Sequence, residues 1–428
     1  MFPTAPRKNA IYENSSFPHF KDAIPKGTLT ETRWDWVKQP LTAKEAFYLA
    51  QKTFQPQLEN VENANTLNRL KVLLHCGKQY GKLLPVATPI AVELAVDLIP
   101  LFEEEDGSKS LSFETSQLSN DMKQDISNRI GVKIPGIRFR GNETDLTRGS
   151  YKILLSEIPT AHGEISPEKK LFTGRLEKLT SLAILVEKTK HPLTGNEAWW
   201  IEQKDWETVE EAGLELCDAL EYLFWHLQAV LENNLSEFLG HQEVMELLNE
   251  KLAAGTHLKV VKNPDKPLDL SALVTVLKGL VREKVPITAL EAIVKEFNHS
   301  KKNGMNLLEI GEKIRSIPEI LPKLPGNNDQ YSFYQIRPIL EKEINRSIKR
   351  KHSQPILNMD PEICRDALTA VRTKASYQRN MAILVRNPQI RPFIKQLIRL
   401  EFPEIPVLSR NELLPHLESK IVGEIDIA

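Results

Sequence analysis

The stretch LSEFLGHQEVMELLNE, residues 235–250, holds two helical stripes that do not join. Leu235, Phe238 and Leu239 continue the 3.6-residue apolar repeat of the segment before them, whereas Val244, Leu247 and Leu248 begin a second repeat. Gly240 and the polar run His241, Gln242 and Glu243 stand between the two. How the chain divides on either side of this break decides the fold.

The helix leading into the break has a clear start. Asp218 followed three residues later by Glu221 is a capping-box signal, and Leu220, Leu223, Phe224, Leu227, Leu231 and Phe238 form its buried stripe. Before it, LTSLAILVE predicts a short strand and KHPLTGNE a loop, and AWWIEQKDWETVEEAG predicts a strand running into a helix closed by Gly213. Further upstream, IAVELAVDLIPLF predicts a strand from Ile90, and SQLSNDMKQDISNRIG a helix ending on Gly131 as a C-cap glycine. IRFRGNE and YKILLSEI alternate as strands across the turn-rich NETDLTRGS, which completes an α+β layer. Residues 1–40 show no periodicity and offer Trp34 and Trp36 as a docking spot, while residues 41–85 predict an antiparallel helix pair.

Downstream the chain is helical to about residue 315. LSALVTVLKGLVREKVPITALEAIVKEF carries two stripes separated by Pro286, expected in the first turn of the second helix. Past the proline-studded IPEILPKLPGNN, helices (RPILEKEINRSI, PEICRDALTAV, RPFIKQLIRLEF) alternate with short strands (MAILVR, IPVLS, KIVGEIDI), an α/β layering.

At 428 residues, 41% hydrophobic and 26% charged, the chain is long enough for two or more domains with real cores. The most apolar stretch, PVATPIAVELAVDLIPLF, contains Glu93, Asp97 and two internal prolines, so it predicts a buried strand and not a membrane span. The N-terminus lacks the apolar core of a secretory signal. Cys76, Cys217 and Cys364 are far apart and form no CxxC pair, which points away from zinc and disulfides and toward the cytoplasm.

Net charge is near zero but unevenly spread. Residues 201–250 hold thirteen Asp/Glu against one Lys, and residues 337–400 hold fourteen Lys/Arg against five Asp/Glu. Two independently solvated helix faces would explain this. A functional explanation is that the acidic and basic surfaces meet between domains or between copies, where complementary potential sets register and on-rate. The basic block lacks the interleaved aromatics and glycines of a nucleic-acid module, so no nucleic-acid partner is expected.

Motifs for chemistry are missing. The sequence has no GxxxxGK[ST] loop, no GxGxxG after a strand, no HExxH and no GxSxG, so no catalytic residues, no cofactor and no metal are expected. His226, between Trp225 and Leu227 in an apolar helix, fits a core or interface histidine better than a base, and Glu210 and Glu211 fit a solvated face. A binding or assembly protein is the expected class. An enzyme with a site built from residues distant in sequence is the alternative, and an open groove lined by Trp199, Trp200 and Trp225 would favour binding over it.

Five segments together carry a resemblance: YKILLSEIPTAHGEI (151–165), AWWIEQKDWETVEEAG (198–213), HLQAVLENNLSEFLGHQEVMELL (226–248), LKGLVREKVPITALEAIVKEF (277–297) and RPFIKQLIRLEFPEIPVLSRNELLPHLESKIVGEI (391–425). In order and spacing they resemble the cytoplasmic half of the flagellar/hypersensitive-response/invasion protein export pore (FHIPEP) family, from about residue 86 onward. The resemblance implies an α+β chain of several subdomains. Residues 86–169 with 219–238 would form a mixed α/β first subdomain, interrupted by a small inserted one at 170–218. A helical subdomain over 239–320 and an α/β subdomain over 321–428 would follow, with Gly240 at the joint and Gln242 and Glu243 facing the new helix's amides.

The function it implies is a non-enzymatic docking platform of a type III secretion or flagellar export apparatus, cytoplasmic and peripheral at the inner membrane. Implied partners are copies of itself in a nine-membered ring, secretion chaperones with their cargo, the export ATPase complex and membrane export-gate components. The alternative is a free-standing soluble adaptor of the same ancestry. The several hydrophobic membrane helices of the family do not occur in this sequence. A flagellar chaperone-binding dimple, built in the family from an acidic residue, a Phe and a Thr, falls here on His191, Thr194 and Trp225, so none of its residues is retained. Partner-binding candidates are therefore His191, Thr194, Trp199, Trp200 and Trp225, and oligomer-interface candidates Arg346, Lys349 and Arg350.

Overall fold

The structure, a computed structural model, describes residues 88–103, 111–142, 146–252, 268–351, 354–376 and 380–426. The irregular segment expected over 1–40 and the helix pair expected over 41–85 lie outside the described residues. The chain is mixed α and β with several sheets and forms two compact units. One holds the described residues up to Leu101 together with Pro135–Ser166, and the other holds Phe102–Ile134 together with everything from Pro167 onward.

The first unit is a four-stranded sheet of β1 (Ile90–Leu94), β2 (Ile137–Gly141), β3 (Ser150–Leu155) and β4 (Ile158–Glu164), in the order β2-β1-β3-β4. β1 runs parallel to β2 and antiparallel to β3. The strand expected from Ile90 stops at Leu94, because Val96–Leu101 turns into a 3-10 helix around Pro100. YKILLSEI likewise is not one strand. Ser156 and Glu157, at φ 51° and 64°, form a two-residue turn and Ile158 starts β4. Ties on both sides hold this conformation, which side-chain-bearing residues rarely adopt. Ser156 N–H donates to Pro89 O at 2.9 Å, and Glu157 accepts from Thr88 N–H at 3.1 Å and Arg140 at 2.7 Å.

In the second unit α1 (Phe113–Ile130) is capped by Ser112, whose Oγ accepts Thr115 N–H at 3.1 Å, and ends on Gly131 at φ 89°. Gly131 is required twice: its φ is left-handed, and a Cβ would sit 3.0 Å from the backbone of Ile287 and Thr288. A three-stranded antiparallel sheet follows, β5 (Lys169–Phe172), β6 (Val186–Lys190) and β7 (Glu197–Glu202) in the order β5-β7-β6. The strand expected at LTSLAILVE is mostly absent. Its start belongs to the short α2 (Leu176–Thr180), Ala183 turns at φ 56°, and only Val186 and Glu187 enter β6.

After β7 the chain passes a 3-10 turn into α3 (Trp206–Glu211), and Gly213 at φ 71° closes it as expected. Then come α4 (Ala219–Asn233) and α5 (His241–Lys251), divided by a 3-10 turn over Leu235–Phe238. Gly240 caps α5 at φ −84°, an ordinary conformation, so it is not needed for a tight turn. What its missing Cβ provides is room, because the Glu243 carboxylate lies 2.5 Å from where that atom would be. Gln242 does not serve the helix amides either; its amide pairs with Glu246 at 2.9 Å.

The helices α6 (Leu270–Arg282), α7 (Leu290–Lys302) and α8 (Leu307–Arg315) pack together through stripes that include Leu273, Leu277, Ile293, Phe297, Ile310 and Ile314. Pro286 lies in the connection before α7, not in its first turn; Lys284 at φ 56° and Val285 N–H to Leu280 O at 3.0 Å shape that connection.

The C-terminal layer is a parallel sheet in the order β12-β11-β8-β13. Its strands are β8 (Ser332–Ile336), β11 (Met381–Val385), β12 (Val407–Ser409) and β13 (Ile421–Ile425). The helices α9 (Pro338–Ser347), α10 (Pro361–Ala375) and α11 (Arg391–Ile398) accompany it. A two-stranded ribbon, β9 (Ile348–Lys351) and β10 (Gln354–Leu357), follows α9. β11 is buried at all five positions, the uniform apolar run of a central parallel strand.

The helical region meets this layer through charge. Arg391, 1% exposed, donates from Nε and Nη2 to Glu312 at 2.6 and 2.5 Å and from Nη1 and Nη2 to Glu283 at 2.6 and 3.0 Å. Arg315 donates to Glu412 at 2.6 Å and to Glu283 at 3.1 Å, and both guanidinium groups reach Val407 O at 3.3 Å. Burial opposes ionisation of Glu283, yet Arg391 and Arg315 beside it hold its carboxyl down to about 2. Nearby, burial pulls the Lys395 ammonium down to about 8 while it donates to Pro403 O and Ile405 O at 2.9 and 2.8 Å.

Candidate functional site: an aromatic seam along one helix

The three-stranded sheet of the second unit has two faces, and β7 supplies both from adjacent residues. Trp199 and Ile201 point to one side, where Phe172, Leu179 and Val209 complete a buried cluster. Trp206 closes its edge, donating Nε1–H to Ile201 O at 3.0 Å beneath the Lys170 ammonium, 4.6 Å above the ring. Trp199 is thus core, 6% exposed, on the face away from Trp200, contrary to the expectation that grouped it with Trp200 and Trp225. The period-2 alternation of a strand sends Trp200 to the opposite side.

On that side lies α4. Asp218 caps it as the sequence predicts: its Oδ1 accepts Glu221 N–H at 2.7 Å, and Glu221 accepts Asp218 N–H at 3.1 Å. Leu220, Leu223, Phe224, Leu227 and Leu231 are buried as expected, and Phe238 is buried beyond the helix end. Three residues apart on another stripe stand Tyr222 and Trp225, both half-buried. Tyr222 meets Trp200 with ring centroids 4.8 Å apart and planes tilted by 56°, and its hydroxyl shares a hydrogen bond with Thr189 of β6. Trp225 is covered by His191, whose ring stacks on it at 4.3 Å and 18°. Burial pushes the Tyr222 hydroxyl up and the His191 imidazole down from their ordinary ranges.

The seam therefore joins His191, Trp200 and Trp225 of the candidates and leaves Thr194 exposed in the adjoining loop, where its Oγ1 accepts Asn196 N–H at 3.4 Å. Sequence reasoning missed Tyr222 and Thr189; Tyr222 at i−3 from Trp225 was the available signal. Past Trp200 a groove of about 790 Å³ opens between Glu168, Leu185, Val186, Glu187 and Glu202. Leu185 is 80% exposed there, and Lys169 bridges Glu187 and Glu202 at 2.6 and 3.4 Å.

Arg346 stands in the last turn of α9, 3.9 Å from Glu343, and Lys349 and Arg350 lie on β9, so the basic candidates share one segment. Many charges of the two opposed blocks already have partners within the fold. Glu210 pairs with Lys170, Glu232 with Arg129 and Glu250 with Lys133; Arg337 pairs with Glu424, Arg372 with Glu401, and Arg391 is buried.

Among the described residues no three His, Cys, Asp or Glu side chains are grouped to hold a metal ion, and no helix is long and apolar enough to cross a membrane. Burial and the neighbouring carboxylates push the Cys217 thiol up to about 12.

The chain is similar to the low calcium response locus protein D of Yersinia pestis, 27% identical over 335 residues, which cover 76% of this chain and 47% of that protein. It spans about half the length of the curated relatives it matches, flagellar biosynthesis proteins among them. The solved Chlamydia pneumoniae CdsV protein superposes with a TM-score of 0.69 at 25% identity, over 80% of this chain and 98% of that one; CdsV in complex with CdsO gives 0.68 at 24%, over the same shares. The nonameric EscV cytosolic domain from a type III secretion system shares the fold, with a TM-score of 0.60 at 21% identity over 79% of this chain and 97% of that one. A model of the FHIPEP family matches residues 29–418, nearly the whole sequence, and the chain belongs to that family.

Proposed function

We propose that this chain is a non-enzymatic docking platform of a type III protein export apparatus, receiving chaperone–cargo complexes along the seam of α4. The observation that carries this reading is the seam itself. Tyr222 and Trp225 on one stripe of α4, and Trp200 of β7 beside a groove with an exposed Leu185, are half-buried aromatics in a chain whose relatives are export-gate proteins. Rigid amphipathic aromatics of this kind anchor interfaces. Trp225→Ala and Trp200→Ala, made separately in the full chain, are expected to abolish capture of a purified chaperone–cargo complex from the same cell. Undiminished capture by both would remove the seam from the docking function.

The platform works as a ring at the cytoplasmic face of the inner membrane, with the export ATPase complex and the membrane gate components as neighbours. The nonameric relative supports the ring. Arg346, Lys349 and Arg350 contribute to contacts with the acidic surface of the next copy. Light scattering at low ionic strength and high protein concentration is expected to give a species larger than a monomer, and charge reversal at Arg346 and Lys349 is expected to diminish it. A monomer throughout would remove the ring.

A further inference from the structure

The β6–β7 hairpin ends in a loop that closes on itself. His191 N–H donates to Asn196 O at 2.8 Å, and Gly195 N–H, in a residue at φ 69°, donates to His191 O at 2.8 Å. The His191 ring leaves this loop to lie on Trp225, and one contact fixes its protonation. Leu193 N–H donates to Nδ1 at 3.2 Å, so Nδ1 is an acceptor and the imidazole is the neutral tautomer with its proton on Nε2.

We propose that His191 is a proton-controlled latch that, when neutral, holds the hairpin loop over the indole of Trp225 and, when protonated at Nδ1, releases it. Protonation places an N–H against the Leu193 N–H, so the bond that orients the ring is lost and two donors oppose each other. It also puts a cation into a half-buried position. Cation–π attraction to Trp225 opposes release, but it does not require the loop's present geometry.

Several of the charges on the packed elements have other partners. On the hairpin, Lys188 is bridged to Glu197 at 2.6 Å, and Lys190 precedes the loop. On α4, Asp218 and Glu221 form the cap, His226 is half-buried beside Trp225, and Glu232 is held by Arg129 of α1 at 2.5 Å, next to Asp125. Burial is what depresses the imidazole. The sign follows. The unfolded histidine takes its proton near 6.5 and the folded one at a lower pH, so the closed latch is fully stable above 6.5 and is lost as pH falls through the lower value. That opening the latch regulates docking rests on the function proposed above; the latch itself does not.

Tryptophan emission of the full chain, followed from about pH 8 down to about pH 5, tests the latch across the histidine range. The expected result is a change with its midpoint below 6.5 that is lost in His191→Gln and in Trp225→Phe. Glutamine still offers an acceptor to Leu193 N–H but does not titrate. Circular dichroism checks that each variant is folded, and an NMR titration of the His191 ring in the unaltered chain gives the same answer if a variant is not. A midpoint at or above 6.5, a change that survives in His191→Gln, or no change would overturn the latch. A titrating latch with chaperone–cargo capture equal at both ends of the range would keep the latch and remove its role in docking.

Discussion

The seam along α4 and the ionic joint around Arg391 both bring distant elements together, and they do so by opposite means. The seam uses neutral aromatic rings that are half exposed and meet at 4.3 and 4.8 Å. Each contact of this kind is worth only about 0.5–1.5 kcal/mol beyond its area, so rings can part without exposing an unpaired charge. The joint uses ionised groups removed from water, and there each member is indispensable to the others. Taking away one partner of a buried pair leaves the remaining charge desolvated, whereas the pair as a whole adds little over an apolar substitute. A surface meant to exchange partners suits the first construction, and a permanent junction between helical region and C-terminal layer suits the second.

Substitutions sharpen this contrast. Arg391→Met leaves Glu283 and Glu312 without their shared guanidinium and is expected to cost about 3–5 kcal/mol in urea unfolding. Trp199→Ala, which opens a cavity in the sheet core, should cost a similar 3–5 kcal/mol, while Trp225→Ala should cost about 1 kcal/mol. Equal losses for the two tryptophans would contradict the assignment of one face to core and the other to a surface. Gly131→Ala combines a left-handed φ with a backbone contact at 3.0 Å and is expected to lower stability by about 2 kcal/mol or more. Asp218→Ala should cost about 1 kcal/mol by uncapping α4, readable as a lower urea midpoint at an unchanged slope.

A further prediction concerns pH. Lys395 is depressed from 10.5 to about 8, so between those values the unfolded chain binds more protons and stability rises with pH. Comparison with Lys395→Met should show that slope only in the unaltered chain.

The helical elements were the most legible part of the sequence, for local reasons. The Asp218–Glu221 box, Gly131 and Gly213 are short-range signals, and each sits where its residue type predicts. Two kinds of element were hidden. β4 and its turn escaped because Ser156 and Glu157 occupy positive φ without Gly or Asn, stabilised by Pro89, Thr88 and Arg140 from elsewhere in the sheet. β5, β8, β9 and β10 are short and take their strand character from pairing rather than from their own pattern. At LTSLAILVE the apolar run predicts a strand where a helical turn begins, because length and hydrophobicity do not separate a buried helical turn from a strand. The site was half visible. Trp200 and Trp225 stood out, but their separation from Trp199 is a matter of strand parity, and the strand register lies in pairing rather than in composition.

The order of strands in the two larger sheets of the second unit also bears on how the molecule is made. β6 and β7 are joined by the short hairpin loop, and β5 reaches β7 across only α2 and β6. β8 instead pairs Ser332 with Met381 and Phe333 with Ile421, across α9, the ribbon and α10 on one side and the whole remainder of the layer on the other. Long loops must be ordered before those pairings are rewarded, which slows folding. During that delay the apolar run Met381–Val385 has no strand neighbours to cover it, which leaves the C-terminal layer of a nascent or refolding chain open to aggregation.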